Sequence, residues 1–217
     1  MSRIKILPEI LSNKIAAGEV VERPASVVKE LAENALDAGS TRVRIAVENG
    51  GRSLIQVSDN GTGMAADDAL LSIERYATSK IYDDRDLFAI GTLGFRGEAL
   101  PSIASVSRFV LETRHRDADA GIRVEISGGT LRKVTEIGAP TGTLVAVRDL
   151  FFNTPARRKF LKGVSTEMSH IADTVANMAM GWPGVSFTLR HDGREVKSWP
   201  AAGDPALRAA EVLGRGV

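Results

Sequence analysis

The sequence predicts an α+β fold: a two-layer sandwich in which helices cover one face of a mixed, mostly antiparallel sheet. Three observations lead there. Stretches with helical apolar spacing and stretches that alternate are interleaved, but not as regular strand–helix units. Tight-turn signals at NGG (49–51), GG (128–129) and DG (192–193) join neighbouring strand candidates, as hairpins require. The chain has 217 residues and 43% hydrophobic content, enough for one substantial core or two small ones.

Residues 1–20 mix short apolar spots with polar residues and read as an arm leading into a short helix at AAGEVV. ERPAS starts a helix with Pro24 in its first turn, and that helix ends at Asp37 to Gly39, where glycine can take the left-handed capping conformation. TRVRIAVE places Val43, Ile45 and Val47 on one side of a strand, and SLIQVSD is its partner across the NGG turn. DDALLSIERYA (67–77) reads as helix, TSKIYDDRDLFAIGTLGFRG (78–97) as a long irregular stretch, and EALPSIASV (98–106) as helix with Pro101 in its first turn. Strands follow at Arg108–Thr113, Ile122–Ile126, Leu131–Thr135 and Thr143–Asp149. Met168, Ile171, Val175 and Met178 recur at helical spacing until GWP (181–183) stops the run. SFTLRHDGREVKSW (186–199) is a hairpin, and Asp204 caps a short last helix opened by Pro205.

Composition removes several function classes. There is no cysteine, which excludes disulfides, thiolate metal sites and cysteine nucleophiles. The formal net charge is +1, so any basic surface has to be local. MSRIKILPEILSNKI has no continuous apolar core of a signal peptide, and no run approaches the length of a membrane helix. A cytoplasmic protein with no membrane partner is expected. His115, His170 and His191 are far apart in sequence and read as ordinary side chains rather than ligands.

Chemistry first shows in VKELAENALDAG (28–39), where Glu30, Asn34 and Asp37 stand at offsets of four and three. At roughly 100° per residue, Val27, Val28, Leu31, Ala32, Ala35 and Ala38 fill an apolar arc of about 140°. Asn34 falls at its edge, with Glu30 and Asp37 just beyond. None of the three has an obvious cationic partner on the helix, since Lys29 points about 100° away from Glu30. Glu33 and Asp37 repel, and the helix dipole disfavours an anion at Asp37. One reading is a solvated polar stripe. The other is a glutamate that takes a proton beside an asparagine that offers its oxygen to a hard cation such as Mg²⁺.

Glycine-rich elements follow. In QVSDNGTGM (56–64) a carboxylate at a strand end could accept from a ligand amino group, while glycines let a flat ring approach; a plain turn is the alternative. GTLGFRGEAL (91–100) puts Gly91, Gly94 and Gly97 ahead of a helix, which suits anion binding by backbone amides, with Arg96 and Lys80 adding charge. GAPTGT (138–143) is a further glycine-bearing element before a strand, and Thr143 could supply a hydroxyl. Neither a Walker A loop nor a GxGxxG following a strand occurs.

Together these pieces resemble the ATP-binding site shared by DNA gyrase B, the 90-kDa heat-shock chaperones, sensor histidine kinases and MutL. Within that superfamily the sequence is similar to the MutL mismatch-repair family: AAGEVVERPASVVKELAENALDAG (16–39), GFRGEAL (94–100) and FNTPARRKFL (152–161) are wording typical of it. The resemblance implies a Bergerat-type ATP-binding fold, with ATP and Mg²⁺ as cofactors. It makes Glu30 the general base that polarises the attacking water and Asn34 the Mg²⁺ ligand. Asp59 is to accept from the adenine amino group, directly and through a water shared with Thr143, while Gly61, Gly63 and Met64 border the base and sugar. Thr78, Ser79 and Lys80 open the ATP lid, and Gly94, Phe95, Arg96 and Gly97 wrap the phosphates. Asp37 belongs to the polar wall near the adenine.

The resemblance also implies a slow ATPase used as a conformational clock. ATP orders the lid and the arm (1–20), and two nucleotide-binding subdomains (21–217) close into a dimer. Partners implied are a second copy of the chain, a MutS-like mismatch sensor, a downstream endonuclease and helicase, and DNA bound without sequence preference, all at the nucleoid during repair. Arg157, Arg158, Lys159 and Lys162 form a basic cluster that is either a solvated face, a DNA contact or a reporter of nucleotide state. In MutL a second subdomain supplies a lysine for the γ-phosphate; this chain is expected to end before it, so the complete protein is expected to be the Mg²⁺-dependent ATPase and this chain to turn ATP over very slowly or not at all. The alternative functions are a binding and dimerisation module without significant turnover, or a histidine-kinase ATP domain, against which GFRGEAL and NTPARRKFL argue.

Overall fold

The apolar arc of the first helix goes into the core. In a computed structural model, which describes residues 5, 8, 17–80, 91–94 and 96–214, α1 (Pro24–Asp37) buries Val27, Val28, Leu31, Ala32 and Ala35. It ends in a Schellman motif. Gly39 takes φ 71°, its amide donates to Leu36 O at 2.9 Å, and the Ser40 amide donates to Ala35 O at 3.2 Å. The chain then enters β1 (Arg42–Glu48) directly.

Val43, Ile45 and Val47 of β1 are at most 1% exposed, as their alternation requires. The turn Asn49–Gly51 returns the chain into β2 (Leu54–Asp59), antiparallel to β1. After α2 (Ala66–Leu71) and α3 (Ala99–Ser105) come β3 (Arg108–Arg114), β4 (Gly121–Ser127), β5 (Thr130–Ile137) and β6 (Gly142–Arg148). Then follow α4 (Pro155–Phe160), α5 (Val164–Gly181), β7 (Ser186–His191), β8 (Arg194–Trp199) and α6 (Pro205–Leu213). The strands form one sheet in the order β5-β4-β3-β6-β2-β1-β7-β8. Every pairing is antiparallel except β1 with β7.

One face of the sheet, carrying Val43, Ile45, Val57, Leu111 and Val145, is buried in the core with α1 and α5. The strand alternation puts Arg44, Ser58, Leu144, Glu112 and Arg123 in register on the other face. The predicted two-layer α+β sandwich is the fold observed. Helix α2 is shorter than its sequence reading. It stops at Leu71, Ser72 Oγ donates back to Ala69 O at 2.8 Å, and Tyr76 turns into the left-handed region at φ 63°. That turn brings the Tyr76 amide within 3.1 Å of Gly97 O, so residues 72–77 serve the glycine loop rather than the helix.

Residues 17–20 are helical, and Ala17 is fully buried in the core. A side chain at Gly18 would collide with the Arg157 guanidinium, so α4 packs directly on this segment. Most of the predicted arm lies outside the described residues. At the other end Arg208 of α6 is 0% exposed and donates to the carbonyls of Ala179, Pro183, Val185 and Pro200. No helix among the described residues is long and apolar enough to cross a membrane.

Candidate functional site

Helix α1 runs along the site with its polar edge outward. Glu30 and Asn34 lie on that edge, half-buried. The expectation that Glu30 lacks a cationic neighbour on its own helix is corrected. Lys29 Nζ pairs with Glu33 at 2.9 Å and reaches 3.8 Å from Glu30 Oε1, because a long flexible stem spans the angle between adjacent positions. One turn on, Lys80 Nζ lies 3.0 Å from Asn34 Oδ1 and 2.5 Å from Asp37 Oδ2. The same Asp37 carboxylate accepts from the amides of Leu93 at 3.0 Å and Gly94 at 3.3 Å. Asp37 thus gathers Lys80 and the glycine loop, which stand on either side of residues 81–90 in the sequence. The Lys80 amide in turn donates to Thr78 Oγ1 at 3.2 Å.

Asp59 stands beside the C-terminal cap of α1, just beyond Asp37. Its Oδ1 accepts from the Gly61 amide at 2.7 Å and lies 3.1 Å from Ser40 Oγ. Gly61 sits so close to the α1 cap that a Cβ would come within 2.7 Å of Ala38 O. At Gly63, with φ 66°, a Cβ would fall 2.0 Å from Arg114 O. The protein itself therefore requires glycine at both positions. Next to them Thr113 Oγ1 accepts from the Met64 amide at 2.9 Å and lies 3.0 Å from Thr143 Oγ1. A cleft of about 270 Å³ also passes Asp59 and Thr143, but Arg44, Ser58, Glu112 and Leu144 line it, so it lies on the open face of the sheet, away from α1.

Burial pushes the Glu30 carboxyl above its ordinary range; Lys29 pulls it back and Glu33 adds to the rise. Burial raises Asp59 too, partly offset by hydrogen bonds from Gly61, Ser40 and the Thr143 backbone. Among the described residues no three His, Cys, Asp or Glu side chains gather to hold a metal. Asn34 Oδ1 nevertheless already faces a cation, the Lys80 ammonium. An amide oxygen turned toward a cation is the kind of hard donor that would suit Mg²⁺.

The predicted residues fall into two groups along the C-terminal half of α1: Glu30, Asn34, Asp37, Lys80 and Gly94 along its polar edge, and Asp59, Gly61, Gly63, Met64 and Thr143 at its C-terminal cap. Ser79 and Arg96 are exposed, and Phe95 lies outside the described residues. Gly97 backs the site through Tyr76 and Ala77. Asp37 stands with Lys80 and the glycine loop. Sequence reasoning missed Ser40 and Thr113. Both are isolated hydroxyls whose burial, 4% and 1% exposed, arises only from tertiary placement. The strand reading of Arg108–Thr113 marked it merely as a strand residue.

Comparison with known proteins gives a consistent picture. Residues 22–133 match the family described as histidine kinase-, DNA gyrase B- and HSP90-like ATPase. The chain is 59% identical over 99% of its length to a DNA mismatch repair protein MutL of Anaeromyxobacter sp. (strain K), and 57% identical over 99% to that of Geobacter sulfurreducens. It spans about a third of the length of these relatives, 35% in each case. Among solved structures, the Aquifex aeolicus MutL ATPase domain complexed with ADP superposes with a TM-score of 0.76 at 36% identity, covering 89% of this chain and 70% of that one.

Proposed function

The chain belongs to the MutL family of the histidine kinase-, DNA gyrase B- and HSP90-like ATPases, and from that premise we propose that ATP is bound, and in the whole protein hydrolysed, along the C-terminal half of α1. The observation that carries this reading is the convergence of Asn34, Asp37, Lys80 and the Gly94 amide at one point beside Glu30. Asp59 takes the adenine amino group, aided by Thr143. The phosphates lie back along α1 toward Glu30, against Lys80 and the glycine loop. Asn34 offers Oδ1 to Mg²⁺, which when bound neutralises charge on the phosphates. Glu30 accepts the proton of the water that attacks the γ-phosphorus, and burial makes it a stronger base than an exposed carboxylate. For the whole protein, the reading extends to ATP-dependent ordering of the lid and arm and closure of a dimer. It extends further to coupling of a MutS-like mismatch sensor to endonuclease, helicase and DNA in the cytoplasm.

The test is calorimetric titration with a non-hydrolysable ATP analogue, with and without Mg²⁺, in parallel with Asp59→Asn. Saturable binding that depends on Mg²⁺ and disappears in Asp59→Asn is expected. A folded chain that binds no nucleotide overturns the reading. Glu30→Gln separates the ATPase from a pure binding module: turnover is lost while analogue binding persists.

A further inference from the structure

We propose that Ser40 sets the base preference of this site by fixing which oxygen of Asp59 faces the ligand. The inference rests on the nucleotide reading above and concerns a residue that no part of that reading uses. It begins with the helix cap. The Schellman motif at Gly39 folds the chain back so that Ser40 donates its amide to Ala35 O and is left 4% exposed. Its hydroxyl then lies 3.1 Å from Asp59 Oδ1, the same oxygen that the Gly61 amide reaches at 2.7 Å. Two donors from two different elements therefore hold one carboxylate oxygen.

A carboxylate has about four acceptor positions spread over two equivalent oxygens, and rotation about its terminal torsion exchanges them. Pinning Oδ1 twice stops that exchange. Oδ2 becomes the oxygen presented to a base, in fixed orientation. A fixed acceptor favours an exocyclic amino group and rejects a ring carbonyl at the same place, because two facing acceptors stay unpaired and desolvated. Without Ser40, Oδ1 keeps only the Gly61 amide, and the smaller backbone contribution of Thr143 is left to resist rotation of the carboxylate. Ser40 is thus a positioning residue for Asp59, and its effect belongs to discrimination more than to affinity in general.

The experiment is calorimetric titration of the intact protein with ADP and with IDP, which carries a carbonyl where ADP carries the amino group. Wild type, Ser40→Ala, Ser40→Thr and Asp59→Asn are compared. For Ser40→Ala the ADP affinity is expected to fall about threefold to tenfold with little change for IDP, narrowing the preference by the same factor. Ser40→Thr, which keeps the hydroxyl, retains the wild-type ratio. Equal losses for both ligands, or an unchanged ratio, overturn the proposal. Should Ser40→Ala not fold, Ser40→Cys takes its place as a near-isosteric but weak donor. Asp59→Asn distinguishes the levels. If it leaves ADP binding intact, the adenine reading itself fails; if it abolishes ADP binding while Ser40→Ala keeps the ratio, only the role of Ser40 fails.

Discussion

Glu30 and Asp59 are carboxylates kept partly out of water, and each costs the free protein stability for that reason. A carboxyl whose folded-state pKa lies above its unfolded one loses stability as pH rises through the raised value. The penalty is complete at neutral pH and absent below the ordinary carboxylate range. Glu30→Gln should therefore raise the melting midpoint by about 1–3 °C at neutral pH, an advantage that fades as the pH falls toward the unfolded carboxylate pKa. Melting curves across that range check it, and a stabilisation that persists unchanged in acid refutes the cause given. Glu30, Asn34 and Asp59 were legible because each sits in a motif whose spacing is set by a helix or a turn. Ser40, Thr113 and Arg208 were not. A lone serine, threonine or arginine in sequence has no periodicity to betray burial, and only the approach of distant chain segments gives it partners.

At the scale of elements, α6 is docked by one side chain. Arg208 is fully buried, and its donors satisfy carbonyls at the end of α5, before β7 and after β8. Arg208→Met strips those carbonyls of partners and is expected to cost about 3–5 kcal/mol, read as a lower urea midpoint at unchanged slope. Asp37 similarly joins α1 to the glycine loop. Asp37→Asn weakens charge-assisted bonds to Leu93 and Gly94, so amide exchange should accelerate at those two positions and not in β1 or β2. Most elements were legible to within a residue or two, from Pro24, Gly39, the NGG, GG and DG turns and the Asp204 cap. The parallel pairing of β7 with β1 was not, because local alternation looks the same in either strand direction. Nor was the early end of α2, which the glycine loop imposes through Gly97.

For the molecule as a whole, one continuous core joins α1, α5 and the sheet, so ligand binding at the site should stabilise everything together. Nucleotide at a hundredfold over its Kd adds about 2.7 kcal/mol, expected as a rise of about 5–10 °C in the single melting transition, and absent in Asp59→Asn. A separate early transition that ignores nucleotide contradicts a single core. The sheet ends in β5 and β8, whose exposed Arg132, Lys133, Arg194, Glu195 and Lys197 discourage pairing with other chains. Between those edges α1 has another property. A helix advances a fixed distance per residue, so the eight steps from Glu30 to Ala38 set about 12 Å between the turn that carries Glu30 and the cap that seats Asp59. The helix is a gauge for ligand length. Inserting a single residue between Glu30 and Asn34 would lengthen that gauge by about 1.5 Å and swing Glu30 by about 100° away from the cluster of Asn34, Asp37 and Lys80, leaving both chemically intact and unable to act on one molecule.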